Sequence, residues 1–163
     1  MYADYQRSDA MSLAGGKRTY TQLPAIMSEK PFYAPTLTLF DCVSRHDFDT
    51  LADLCDDDFG IIDLDPEGKS VPITNRAEWE NWFRTLFKRL DEMKAHTYTE
   101  IRTYDALQTA EMGYSVVNFD QFLEVGDQKL KFNCITTIIW KHTDRGWKES
   151  RWHCSLIQAP VPV

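Results

Sequence analysis

The sequence has no long apolar run and no cluster of basic residues. No apolar stretch approaches the ~20 residues of a membrane-spanning helix, and residues 1–12 lack the apolar core of a signal peptide. Acidic residues number 25 against 18 lysines and arginines, for a net charge of −7. Because nucleic acids and anionic membranes require clustered positive charge, we expect neither as a partner. We expect a soluble, cytoplasmic protein.

The cysteines and histidines are not spaced as metal ligands. None of the four cysteines forms a C-x-x-C pair, and the four histidines show neither H-x-H nor H-E-x-x-H spacing. The acidic run at residues 56–58 lacks the ligand spacing of an EF-hand, and Gly15-Gly16 is not followed by the strand and helix of a phosphate loop. We therefore expect no metal ion and no cofactor, and, without an export signal, reduced thiols.

Aromatic residues are plentiful, at 13% of a chain of 163 residues, and five of them are tryptophans. They indicate a large core, a lined cavity or an apolar interface. Residues 1–29 show no sustained periodicity, and we predict a flexible N-terminal arm there; the alternative is a short helix around residues 23–27. The remaining residues, 30–163, are predicted to form one domain.

Three helices are predicted between residues 31 and 93. Pro31 suits the first turn of the first helix, and Asp47 is a suitable N-cap for the second. The third begins after Thr74 or Asn75 and has the clearest apolar stripe. That stripe consists of Trp79, Trp82, Phe83, Leu86, Phe87, Leu90 and Met93. Residues 60–64 are predicted to form a short strand before this helix.

After Lys94 the apolar period changes to two, which predicts four strands at residues 96–107, 110–124, 128–142 and 146–157. The turns between them are short, so neighbouring strands should pair antiparallel. The predicted fold class is therefore α+β, with three helices packed on a curved antiparallel sheet that encloses a pocket.

The strand faces decide which side chains enter the pocket. In strand 128–142 the more apolar set, which includes Thr136, is predicted to face the helices. In strand 110–124 the inward set is predicted to include Tyr114 and Asn118. The last strand has two alignments. A four-residue turn over 143–146 directs Arg151 and His153 inward, and this is the alignment we prefer; a three-residue turn directs the alternate side chains inward.

In the preferred alignment Phe119, Leu123 and Trp152 lie on the face of the sheet away from the helices. Three helices on one side cannot cover both faces of a sheet. A large apolar outer face implies a partner, and we expect a homodimer through it.

The element order and the C-terminal motifs resemble the NTF2-like superfamily, which includes SnoaL-like proteins, ketosteroid isomerases and the association domain of calmodulin-dependent protein kinase II. The resemblance extends over about residues 33–160. It is strongest at residues 140–148, WKHTDRGWK, followed by WHCS at 152–155 and Ala159-Pro160; residues 47–56 also resemble the second helix of the association domain. It implies a cone-shaped fold of helices on a curved sheet.

The resemblance also suggests positions for a site. Asp63 matches the general-base aspartate of the isomerases, whereas Thr36 stands where their substrate-polarising tyrosine is expected. No residue convincingly matches their protonated aspartate. The association-domain pocket carries arginines at the positions of Asn118 and Ile138. The chain therefore has an incomplete set of residues for either function.

Two residues are candidate catalytic groups. Burial would raise the pKa of Asp63 and make it a base near neutral pH, and His153 beside it would relay a proton. The alternatives are an ordinary paired carboxylate and a core histidine. The candidate ligand-binding residues are Trp79, Trp82, Tyr98, Tyr114, Asn118, Thr136 and Arg151.

Two functions remain open on the sequence. The first is a SnoaL-like pocket protein for a small apolar or amphipathic molecule, acting as a cofactor-free isomerase, cyclase, dehydratase or hydrolase by acid–base catalysis. The second is a non-catalytic binding or oligomerisation module like the kinase association domain.

Overall fold

The computed structural model describes residues 26–65 and 68–163. Three helices pack on one face of a curved sheet: α1 (Tyr33–Arg45), α2 (Phe48–Leu54) and α3 (Arg76–Glu92). The strands are β1 (Cys55–Leu64), β2 (Ser70–Ile73), β3 (His96–Gln108), β4 (Met112–Val125), β5 (Gln128–Thr143), β6 (Gly146–Leu156) and β7 (Val161–Pro162). The predicted α+β fold of three helices on a curved sheet is confirmed. Most of the predicted arm lies outside the described residues, and Met27–Glu29 form one 3₁₀ turn.

The helix boundaries follow local capping. Asp47 accepts a hydrogen bond from the Thr50 amide at 3.2 Å, and Asn75 accepts one from the Glu78 amide at 3.0 Å, as their residue types predict. The helix α1 begins at Tyr33 and not at Pro31, because Phe32 adopts a left-handed conformation with φ of 60°. Within the described residues, no helix is long and apolar enough to cross a membrane.

The sheet is mixed and not wholly antiparallel. Its order is β2-β1-β6-β5-β4-β3, with β7 added to β5. The strands β3 to β6 form the predicted antiparallel meander, whereas β1 pairs in parallel with β6. The turns of the meander fix its pairing, but α3 separates β1 from the meander. The position of β1 is therefore decided by tertiary packing.

The predicted inward face of β5 is confirmed: Thr136, Ile138 and Trp140 are fully buried. The predicted inward face of β4 is wrong. Thr136 lies opposite Val117, and directly opposed residues share a face, so Tyr114 and Asn118 point outward. Apolar residues occupy both faces of β4, and for that reason alternation alone did not distinguish them.

The preferred alignment of the last strand is also wrong. Trp152 lies opposite Ile138, so Trp152 faces the helices, while Arg151 and His153 point outward. The hairpin closes with a two-residue turn between Thr143 and Gly146, and the register then shifts by one residue between Ile139 and Trp140. This bulge produces the alignment of the alternative, the three-residue turn, beyond Ile139.

Candidate functional site

A cavity of about 180 Å³ lies between the helices and the inner face of the sheet. Aromatic rings form much of its wall: Phe40, Phe59, Trp79, Trp82, Phe83, Phe119, Phe122, Phe132 and Trp152. The predicted ligand-binding residues Trp79 and Trp82 are thus both at the cavity. An apolar cavity of roughly 150 Å³ is large enough for benzene, so this one has room for a small aromatic or alicyclic molecule.

Asp63 lies near the end of β1 and lines the cavity. Its Oδ1 accepts a hydrogen bond from the Leu64 amide at 2.8 Å. Burial raises the pKa of the Asp63 carboxyl to about 6, although the Leu64 amide and the nearby Trp152 indole oppose the rise. Asp63 is therefore ionised at neutral pH but is a stronger base than an exposed aspartate.

Glu149 is a second carboxyl in the cavity wall, and sequence reasoning missed it. It is only 3% exposed, and the Cys55 thiol donates to its Oε2 at 3.5 Å. Burial, together with a smaller effect of the negative charge of Asp63, raises the pKa of Glu149 to about 8, although the hydrogen bond from the Cys55 thiol opposes the rise. Glu149 is therefore mainly protonated at neutral pH and can donate a proton.

The two alignments of the last strand treat Glu149 and Trp152 as alternatives. Strict alternation places Glu149 on the face opposite to Trp152, because the two residues are three apart. Cα pairing passes from Ile139 with Arg151 to Trp140 with Glu149, so Ser150 is the extra residue. Glu149 therefore keeps the inward direction that the preferred alignment gives it, and the bulge brings Trp152 to the same face. The position of Glu149, two residues before Arg151, was the available signal.

Two polar groups at the cavity have no hydrogen-bond partner within the described part of the chain. They are the Thr97 hydroxyl, which is 7% exposed, and the Trp152 indole nitrogen, which lies close enough to Asp63 to affect its pKa but forms no hydrogen bond of good geometry with it. An unpaired buried polar group costs roughly 1–3 kcal/mol. A ligand in the cavity can supply the missing partners.

Two thiols, Cys134 and Cys154, also line the cavity. A hydrogen bond between them and burial raise the pKa of Cys154, which keeps its thiol protonated. Across residues 26–65 and 68–163, no group of three or more His, Cys, Asp or Glu side chains is arranged to hold a metal ion.

The other predicted site residues do not converge on the cavity. Ile62 pairs with His153, so Asp63 and His153 point to opposite faces of the sheet and the predicted Asp63–His153 pair does not form. Arg151, also on the outer face, forms an ion pair with Asp58 at 3.2 Å. Both departures follow from the alignment of β6.

Four further predicted residues lie away from the cavity. Tyr114 and Asn118 are on the outer face of β4. Tyr98 stacks on Phe122, with 4.6 Å between ring centroids, and borders a separate groove beside α1. Thr136 is on the inner face, but its hydroxyl donates to the His153 carbonyl at 3.1 Å instead of facing the cavity.

A family model described as the SnoaL-like domain matches residues 37–160. The chain belongs to the SnoaL-like family. Its resemblance to NTF2-like proteins is thereby confirmed. A comparison with curated protein sequences finds no match.

Solved structures with the same fold include proteins of different assignment. A protein of the NTF2-like family from Streptomyces avermitilis, assigned as a dehydratase, has a TM-score of 0.64 and 16% identity, over 77% of this chain and 92% of that one. A protein assigned as an aromatic ring hydroxylase, from Novosphingobium aromaticivorans, has a TM-score of 0.63 and 15% identity, over 80% and 90%. A protein assigned as a calcium/calmodulin-dependent kinase II association domain, from Thiobacillus denitrificans, has a TM-score of 0.60 and 17% identity, over 79% and 96%. At these identities the likeness establishes the fold alone.

Proposed function

We propose that this SnoaL-like protein binds a small, mainly apolar molecule in the cavity and transforms it by cofactor-free acid–base catalysis. The observation that carries the proposal is the pair of carboxyls, Asp63 and Glu149, in an aromatic wall. Their pKa values, about 6 and about 8, leave one ionised and the other protonated at neutral pH. A base and an acid that share one cavity are the minimum for a proton transfer across a substrate.

The chemistry that suits this pair is enolisation or the elimination of water. Asp63 removes a proton from a carbon next to a carbonyl group, or next to the carbon that bears a hydroxyl group, and the C–H electron pair forms a new double bond. Glu149 donates its proton to the carbonyl oxygen, or to the leaving hydroxyl, which departs as water. Isomerases and dehydratases share the first step. His153 has no part in this scheme, because its side chain lies on the other face of the sheet.

Hydrogen–deuterium exchange of a simple ketone tests the proposal without knowledge of the natural substrate. The protein is incubated with 1-tetralone in D₂O, and loss of the proton next to the carbonyl is followed by NMR. We expect catalysed exchange, and a loss of about 10²-fold or more in Asp63→Asn. Asp58→Asn, a change to an exposed aspartate on the same strand, is the control. Equal exchange by wild type and Asp63→Asn would contradict the assignment of the base.

The second candidate function is a binding or oligomerisation module, and the outer face of the sheet favours it. Ile62, Tyr114 and Ile135 are 38–39% exposed there. Phe119, Leu123 and Trp152, which we expected on this face, are at the cavity instead. We propose a homodimer through the outer face, with more than about 1,000 Å² buried in total. A dimer of this kind is compatible with either function of the cavity.

A charge on the outer face tests the dimer. We expect Ile135→Lys to convert a dimer into a monomer, because a lysine at the centre of an apolar interface loses its hydration. Leu37→Lys is the control, since Leu37 is similarly exposed, at 44%, but lies on α1. Light scattering at micromolar concentration measures the mass. A wild-type monomer, or dissociation by Leu37→Lys alone, would contradict this interface.

A further inference from the structure

We propose that the cavity selects a cationic ligand, an aromatic or alicyclic amine whose ammonium group lies beside Asp63 and Glu149. This inference rests on the cavity as a ligand site and adds the charge class of the ligand; it does not rest on the acid–base scheme, because an ammonium group beside Glu149 removes the proton that the scheme requires. It is carried by the pairing of acids elsewhere in the protein, the charge of the cavity wall and the aromatic rings.

Acids with little exposure have a cationic partner everywhere except at the cavity. Asp56 is 6% exposed and lies 3.0 Å from Lys141. Asp120 is 3% exposed and lies 2.6 Å from Arg102. Glu149 is equally buried, but its neighbour is the Cys55 thiol. Among the described residues, neither Glu149 nor Asp63 has a lysine or arginine partner, so a cation is absent only where the cavity leaves room for one.

The wall of the cavity has a single sign of charge. Asp63, Asp65 and Glu149 line it, and no lysine, arginine or histidine of the described segments does. Charges interact strongly where water is excluded, so a carboxylate ligand would be repelled by the ionised Asp63. An ammonium group would be attracted to the same carboxylate and would favour ionisation of Glu149.

The aromatic rings of the wall also suit an ammonium group. They supply ring faces, on which cations are stabilised. The protein already uses this contact outside the cavity, where the Arg84 guanidinium lies 3.7 Å from the centre of the Phe48 ring.

Amine binding at neutral pH should release a proton, mainly from Glu149. Glu149 has a pKa of about 8 in the empty cavity, and a nearby ammonium group lowers it. The other ionisable groups of the wall are Asp63 and Asp65 on or beside β1, Cys134 on β5 and Cys154 on β6. Outside the wall, the Cys55 thiol contacts Glu149, and the charges of Arg76 and Lys148 act on Cys55. Both cations already contact backbone carbonyls, of Cys55 and of Asp53 respectively.

Three probes with the same phenylethyl skeleton test the charge preference. They are 2-phenylethylamine, 2-phenylethanol and 3-phenylpropionate, and their affinities for the full chain are measured by calorimetry at pH 7. We expect the amine to bind at least about tenfold more tightly than the alcohol, and the carboxylate to bind most weakly. In Asp63→Asn the advantage of the amine over the alcohol should disappear while the alcohol keeps its affinity. That control separates a charge effect from a loss of folding.

Proton release supplies a second readout. The buffer takes up the released proton, so the apparent binding enthalpy of the amine should differ between phosphate and HEPES, whose protonation enthalpies differ. Glu149→Gln should remove most of this difference. The alcohol should show no release in either protein. If the alcohol or the carboxylate binds as tightly as the amine, the charge preference is wrong and the ligand site stands. If none of the three probes binds at about 10 mM, the proposed ligand site fails and the inference fails with it.

Discussion

The two faces of the sheet each carry an aspartate with an altered pKa, and the two alterations have opposite signs. Asp63, on the inner face, has its pKa raised by burial to about 6. Asp120, on the outer face, has its pKa lowered, because hydrogen bonds from Asn133 and Arg102 outweigh the effect of its own burial. The same side chain is thus a stronger base on the inner face and a paired acid on the outer face.

The difference lies in the partners and not in the strands. Asp120 accepts two hydrogen bonds from Arg102, at 2.6 and 2.8 Å, and one from Asn133 at 2.9 Å. Asp63 accepts one from the backbone amide of Leu64. The sheet therefore satisfies its outer acid completely and leaves its inner acid facing a cavity, which is the arrangement expected when stability and function occupy opposite faces.

The largest effect should come from removing an aromatic ring of the inner face. Trp79 is 1% exposed and packs against Phe59 and Phe83, so Trp79→Ala should reduce the free energy of unfolding by roughly 3–5 kcal/mol. Trp82, which the helical stripe predicts to be as central, is only partly buried and should cost less. Tyr114→Ala on the outer face is the comparison, measured by urea denaturation at equal protein concentration. Equal losses for Trp79 and Tyr114 would mean that the two faces are packed alike.

Replacing Asp120 and Asp63, one at a time, by asparagine should have different effects on the free energy of unfolding at pH 7. Asp120→Asn should destabilise the protein by roughly 1–3 kcal/mol, since charge-assisted hydrogen bonds to Arg102 are lost. Asp63→Asn should leave stability unchanged or raise it by up to about 2 kcal/mol, since a partly desolvated charge is removed. Thermal and urea unfolding of both variants give the signs. Destabilisation by both would show that Asp63 is also a structural acid.

The most gradual effect is a pH dependence of stability, which is small over any single pH unit. The folded protein binds the protons of Asp63 and Glu149 more tightly than the unfolded chain, so their contribution to stability is complete below about pH 4 and declines as the pH rises towards 6 and 8 respectively. We expect wild type to lose about 1 kcal/mol per pH unit, relative to Glu149→Gln, between pH 5 and pH 8. Asp120 acts in the opposite sense: its contribution is lost as the pH falls below about 4. Parallel stability curves for wild type and Glu149→Gln would contradict the raised pKa of Glu149.

The helix and the strand that sequence patterns predicted correctly each have one apolar side, which faces the core, and one polar side. The stripe of α3 buries Trp79, Phe83, Phe87 and Leu90, because only one side of that helix is apolar. The strand β5 alternates cleanly, and its apolar set is buried. Asp47 and Asn75 cap their helices through hydrogen bonds that span three residues. In each case the deciding interaction is local, so the residue types alone are sufficient.

The candidate site depends on interactions that residue types do not specify. Apolar residues on both faces of β4 made its orientation ambiguous, and the bulge at Ser150 changed the phase of β6 within a single strand. These two features moved Tyr114, Asn118, Arg151 and His153 to the outer face, whereas Glu149 stays on the inner face. The sequence by itself determined the helices, the meander and the place of Asp63 at the end of an apolar strand. Only the tertiary structure decided which acid accompanies Asp63, because strand register is set by pairing across the sheet and one extra residue exchanges the faces.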